Sequence, residues 1–229
     1  MEGLKIVLDA GHGYQTPGKR TPDGMKEYEF NRVVATYARE ELLQFPDVDV
    51  MFTHSDKLDV PLQQRTSRAN QSQVDAFVSI HANAFGNGGW NSAHGIETYT
   101  PLVESPNSNK LAALVHQKLI KKTGRKDRGI KSADFHVLRE TKMASILCEC
   151  GFMTNMEEAQ LLKTDRYRKI CGVAIAEGVA EYFQLKREHI PKAAKRLYKV
   201  QVGAFHTKEN AERLAQELQQ KGYPTFIQF

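Results

Sequence analysis

Cysteine is scarce in this chain: Cys148, Cys150 and Cys171 are the only three in 229 residues. An odd count, with two of them inside one apolar segment, excludes a disulfide framework and reads as reduced core residues. Long apolar runs are missing as well. None approaches the roughly 18 residues that cross a bilayer, so membrane insertion is not expected. The opening Met1-Glu2-Gly3-Leu4-Lys5 lacks a basic n-region, a separate apolar core and a small-residue cleavage site, which argues against export by a signal peptide. Residues 1–184 also lack any charge excess, with 23 Lys plus Arg against 23 Asp plus Glu.

The whole excess of +5 therefore sits in residues 185–229, where 9 basic residues face 4 acidic ones. A basic appendage on a neutral domain suits a polyanion such as nucleic acid, an acidic glycopolymer or a membrane surface; a tail kept soluble by lysines is the plain alternative. With 41% hydrophobic and 26% charged residues, the composition is that of a globular domain with a real core. The length holds one medium domain and something small.

Residues 1–184 alternate between two periods. Leu4 to Ala10 is an apolar run that reads as a buried strand; Phe30, Val33, Val34, Tyr37, Ala38 and Leu42 then recur at helical spacing, and Val48 to Thr53 is a second strand. Pro61 to Asn70 reads as a short polar helix before a strand from Ala76. Gly95 to Thr100 alternates like a strand, and Asn107 to Thr123 carries Leu111, Leu114, Val115 and Leu119 on one helical face. Phe135 to Arg139 and Ser145 to Gly151 are further expected strands, with a helix from Asp165 to Phe183. The expected fold class is α/β, a mostly parallel twisted sheet with helices on both faces. A charged, proline-containing linker (185–195) leads to a small βαβ unit (196–229): a strand from Leu197 to Phe205, a helix from Thr207 to Lys221, and a strand from Tyr223 to Ile227.

Chemistry concentrates at three strand ends. His12 is bracketed by Gly11 and Gly13 after the first strand; His81 follows Ser79-Ile80; Glu149 stands in Leu147-Cys148-Glu149-Cys150-Gly151. Glu27 opens the first helix after a loop containing Pro17, Gly18, Pro22 and Gly24. Two histidines and one carboxylate with an open position make a catalytic zinc set, and His12, Glu27 and His81 fit it. Hydrolysis with such an ion still needs a proton carrier, for which Glu149 is the candidate. Alternation places Cys148 and Cys150 on the opposite face from it. Taken singly, His12 suits a turn, Glu27 a helix N-terminus and His81 a strand end. Glu149 differs, because an unpaired carboxylate in so apolar a strand demands a partner or a function.

These residues resemble the zinc-dependent N-acetylmuramoyl-L-alanine amidases of the type 3 catalytic class. Asp9-Ala10-Gly11-His12-Gly13 is similar to that family's first-histidine motif, Ser79-Ile80-His81-Ala82-Asn83 to its second, and Glu149-Cys150-Gly151-Phe152-Met153-Thr154-Asn155 to its catalytic-glutamate segment. Glu27 sits at the place of its glutamate ligand, and Arg65-Thr66-Ser67-Arg68-Ala69-Asn70 also resembles its pattern. The resemblance spans residues 3–184. It implies cleavage of the amide between N-acetylmuramic acid and L-alanine of the peptidoglycan stem peptide, with Zn2+ as cofactor and Glu149 as base and then acid. Tyr198-Lys199-Val200-Gln201-Val202-Gly203-Ala204-Phe205 and the helix after it resemble the first half of a sporulation-related (SPOR) peptidoglycan-binding repeat, whose full order is βαββαβ. The partner implied is the wall, with its acidic polymers, rather than nucleic acid, and two tails could pair into a dimer. Without a signal peptide, the enzyme is expected to reach the wall after a phage-type pore or mother-cell lysis at the end of sporulation.

Two other readings exist. Glu27 and Glu149 could be the two carboxylates of a glycosidase, which leaves His12 and His81 unexplained. A wall-binding protein with an inactive domain is the other. His54, His94, His116, His136, His189 and His206 lack such strand-end motifs and read as surface or capping residues, with His116 solvated and His94 and His136 at most lining a groove. The basic run from Lys118 to Lys131 reads as a solvated helix end, or as a surface that meets stem-peptide carboxylates or wall polymers.

Overall fold

The computed structural model describes residues 3–16, 18–187, 202–223, 225 and 227. The chain divides into two compact units, Met1–Glu188 and His189–Phe229. In chain order the first unit runs β1 (Leu4–Ala10), α1 (Glu27–Leu42), β2 (Val48–Phe52), α2 (Leu62–Gln71), β3 (Ala76–Asn83), β4 (Ile96–Pro101), α3 (Pro106–Thr123), β5 (Asp127–Ala133), α4 (His136–Arg139), β6 (Ala144–Phe152), α5 (Met156–Lys163) and α6 (Asp165–Tyr182).

The six strands form one sheet in the order β2-β1-β3-β6-β4-β5. Every neighbouring pair is parallel except β4 with β6, which is antiparallel. Alternation divides the central strands between two cores. Ile6, Leu8, Val78, Ile80 and Cys148 are fully buried in one of them, with Phe30 and Val34 of α1, Leu111 and Val115 of α3, and Ile175 and Val179 of α6. Truncating Ile6, Leu8, Ile80, Leu111, Ile175 or Phe30 to alanine removes packed atoms at a cost of about 2–5 kcal/mol. Val7, Phe77 and Leu147 point the other way, into a smaller core with Ala69 of α2 and Val137 and Leu138 of α4. That second face carries less cover. His81 and Glu149 lie on it, each two residues beyond a member of this row or its neighbour Ser79.

Helix ends follow their local chemistry. Ser105 Oγ accepts from Ser108 N, Asn155 Oδ1 from Glu158 N and Thr164 Oγ1 from Tyr167 N, each satisfying an amide with no partner inside its helix. Gly124, left-handed at φ 64°, ends α3.

Four differences from the sequence reading have physical causes. The strand expected over Phe135 to Arg139 is the single-turn helix α4, which turns both Val137 and Leu138 into the smaller core on one face of the sheet. Part of the basic run is strand β5. As an edge strand that pairs with β4 alone, it needs no apolar face and gives no hydrophobic signal. Helix α5 was also unexpected; its capping residue Asn155 sits inside the segment read for its glutamate. In the second unit, α7 (Lys208–Gln220) is present as expected. The described part of the first flanking strand, 202–205, is not in a strand, and neither are Tyr223, Thr225 and Ile227. Two short strands on one helix are too few for an independent sheet. Leu197 to Gln201 and most of the 185–195 linker lie outside the described residues.

Candidate metal centre

Parallel β1, β3 and β6 end along one edge of the sheet, and their register sets the site. His81 pairs with Glu149 across β3 and β6, and Glu149 pairs with Glu97 across β6 and antiparallel β4. On the other side Gly11 N donates to Ile80 O, which places the β1 end beside His81. Residues directly opposite on neighbouring strands share a face, so one row crosses the sheet from Gly11 through His81 and Glu149 to Glu97.

Glu27 is the first residue of α1 and is buried. Its carboxylate divides between the two histidines: Oε1 lies 2.8 Å from His81 Nδ1 and Oε2 3.3 Å from His12 Nε2. Lys19 N also donates to Oε2, at 2.9 Å. Burial pushes the Glu27 carboxyl up, but the hydrogen bonds and charges of His12 and His81 outweigh it and hold the group well below the usual carboxylate range. The ligand atoms of His12, Glu27 and His81 all lie within 4.8 Å of one another.

The donor set fits a metal ion. Ser79 Oγ donates its one hydrogen to Asp9 Oδ2 at 2.7 Å, so His81 Nε2, 3.1 Å away, must be the donor to that oxygen. This leaves the Nδ1 lone pair facing a carboxylate oxygen, an arrangement that requires a shared cation, either a proton or a metal. Small residues make the space. A Cβ on Gly11 would fall on the His81 ring, and one on Gly18, left-handed at φ 73°, would fall on His12 and Glu27. His12 is itself left-handed at φ 68°, a costly conformation for a residue with a side chain.

A buried ion pair fixes this turn. Arg65 Nη1 lies 2.9 Å from Asp9 Oδ1 and donates to Ala10 O, while Nη2 donates to His12 O at 2.5 Å. Burial raises the Asp9 carboxyl, yet Arg65, Thr53 and Ser79 outweigh that and lower it overall. One network thus orients both histidines, His12 through its backbone and His81 through Ser79. The sequence pattern contained Arg65 without giving it a task; its burial is a tertiary fact.

Glu149 is brought to the same row but is not bound within it. Its Oε2 is buried without a hydrogen-bond partner. Burial, Glu27 and Glu97 push its carboxyl well above the usual range. Cys148 and Cys150 are buried on the other face, and burial raises the Cys148 thiol, which removes it as a nucleophile. Glu27 is committed to the histidines, so it is not the second carboxylate of a glycosidase.

Three residues were misjudged from sequence. His54 accepts from Ala10 N at 3.1 Å and is half-buried rather than on the surface. His116 is buried, between Thr98 Oγ1 at 2.9 Å and Asp127 Oδ1 at 2.8 Å, not solvated. Glu97 was overlooked. It is buried beside Glu149, and its Oε1 accepts from Arg128 Nε and Lys131 Nζ, each at 2.6 Å. A carboxylate in an alternating strand gave no signal of its own.

Comparison with known proteins places the fold and sequence of this unit in one family. The N-acetylmuramoyl-L-alanine amidase family profile matches residues 6–181, and the SPOR domain profile matches residues 194–229. The chain is 36% identical over 226 residues to N-acetylmuramoyl-L-alanine amidase CwlM of Bacillus licheniformis, covering 98% of this chain and 84% of that one. It is 34% identical over 226 residues, with the same coverage, to the sporulation-specific N-acetylmuramoyl-L-alanine amidase of Bacillus subtilis. Among solved structures, the catalytic domain of the amidase CwlV from Bacillus (Paenibacillus) polymyxa superposes with a TM-score of 0.74 at 34% identity, covering 80% of this chain and 99% of that one. Profile, relatives and fold agree along the catalytic unit, and the chain belongs to the N-acetylmuramoyl-L-alanine amidase family of peptidoglycan hydrolases.

Proposed function

We propose that residues 1–184 hydrolyse the amide between the lactyl group of N-acetylmuramic acid and L-alanine, with His12, Glu27 and His81 holding a zinc ion and Glu149 moving the proton. The observation that carries this reading is the buried, unpartnered Oε2 of Glu149, in register with His81. When bound, the ion supplies Lewis acidity for the amide carbonyl and the attacking water. Glu149 Oε2 accepts a proton from that water and returns it to the leaving nitrogen. Burial beside Glu27 and Glu97 raises the Glu149 carboxyl well above its ordinary value, which makes it a stronger proton acceptor than a solvated carboxylate. Arg65 and Asp9 hold the two histidines in place throughout. Residues 196–229 serve as a wall-binding segment, a role supported by the SPOR match.

Purified peptidoglycan provides the test. Digestion should free alanine amino groups without new reducing ends, stop on chelation and resume on adding zinc. Reducing ends that ignore the chelator would overturn the reading.

A further inference from the structure

The basic run from Lys118 to Lys131 separates into two groups. Lys118 pairs with Glu181, Lys122 with Glu177 and Arg125 with Glu157, none of which belongs to the strand-end row. Arg128 and Lys131, on β5, turn instead to Glu97, the far member of the row that contains His81 and Glu149. Two cations share one oxygen of one carboxylate. The other oxygen, Oε2, is taken by Tyr99 Oη at 2.6 Å and Asn83 Nδ2 at 3.0 Å.

This arrangement holds more positive charge than it neutralises. Among the described residues, Glu97 is the one carboxylate in an ion pair with either cation. Glu97 is buried, whereas the side chains of Arg128 and Lys131 are 30% and 41% exposed, so part of each cation meets solvent beside the Glu97 carboxylate; Arg128 Nη1 also donates to His94 O at 3.4 Å. Both also meet aromatic rings. Arg128 stacks over Phe152 at 4.9 Å and Lys131 lies 6.0 Å from the Tyr99 ring centre, contacts that favour these positions for both cations.

We infer that Arg128 and Lys131, anchored by Glu97, form a carboxylate-binding subsite for the stem peptide beyond L-alanine. The inference rests on the amidase reading and adds the substrate group that is recognised. Strand β5 lies two strand spacings from β6, about 10 Å. The acidic residue after L-alanine starts about 3.8 Å on, one Cα step, and its carboxylate extends farther. Arginine and lysine side chains span the remainder. A guanidinium and an ammonium side by side match a carboxylate by charge-assisted hydrogen bonds, while the uncharged amide of the same residue loses most of that energy.

Two probes differing in that group alone decide the matter: N-acetylmuramoyl-L-alanyl-D-glutamate and its α-amide, hydrolysed by the full chain loaded with zinc. The wild type should favour the free acid by about tenfold in kcat/KM, the scale of one partly exposed charge-assisted bond. Arg128→Gln and Lys131→Gln should each bring that ratio toward one, and Lys131→Arg should restore it. Thermal melting identifies any variant that has lost its fold, in which case the conservative Arg128→Lys and Lys131→Arg pair decides. Calorimetric binding of the dipeptides L-Ala-D-Glu and L-Ala-D-isoglutamine tests the subsite without turnover. If neither probe is cleaved but the acid dipeptide still binds more tightly through Arg128 and Lys131, the amidase reading fails and the subsite stands. Equal treatment of acid and amide by the wild type, or a preference that survives both substitutions, overturns the subsite.

Discussion

Glu149 and Glu97 face each other across antiparallel β6 and β4, and they differ completely in their partners. Four side chains donate to Glu97, whereas Glu149 Oε2 is buried with none. Two carboxylates in one row are thereby driven in opposite directions. Glu97 is held at about 2, because Lys131, Tyr99 and Arg128 outweigh the burial that pushes it up, and Glu149 rises. Environments that separate neighbouring carboxylates in this way assign them different work.

Replacing Glu149 by Gln should reduce turnover by on the order of 10²–10⁴-fold while the metal remains bound. The same change should stabilise the metal-free fold. A carboxyl whose folded value is raised binds more protons folded than unfolded, so it costs stability as pH rises above 4.5. Melting curves of wild type and Glu149→Gln, compared at pH 4 and pH 7, check this: the variant's advantage should grow toward pH 7.

Glu97 has the opposite sign. Its folded value lies below the unfolded one, so its stabilisation is present above about 4.5 and fades as pH falls toward 2. Glu97→Gln should flatten the acid limb of the stability curve over that range. Urea unfolding at a series of pH values measures it, and an unchanged slope would contradict the assignment.

Gly11 should tolerate no side chain, because a Cβ there falls on the His81 ring. Gly11→Ala is expected to turn that ring aside and to lower zinc affinity by about 10–100-fold, the range seen when a ligand's support is disturbed. Competition with a coloured chelator reads the affinity directly.

Breaking the buried pair by Arg65→Met should cost about 3–5 kcal/mol, since Asp9 would be left charged and buried. Denaturant unfolding gives that loss. Zinc affinity should fall with it, because the same guanidinium holds the carbonyls of Ala10 and His12.

The sequence by itself determined the family and most of the elements. Apolar runs ending in His12, His81 and Glu149 needed no coordinates to be read, because burial of a strand on both faces leaves a polar residue conspicuous. Helices α1, α3 and α6 were likewise legible from periodicity. Tertiary structure decided what periodicity does not encode: that β5 is an edge strand despite its charges, that Val137 and Leu138 enter the core from one helical turn, and that β4 runs against its neighbour β6. That antiparallel pairing places Glu97 opposite Glu149, and through it Arg128 and Lys131 beside the site. Local sequence specifies which face of a strand a residue takes, whereas strand order, fixed by how the whole sheet buries its two cores, specifies which residues become neighbours.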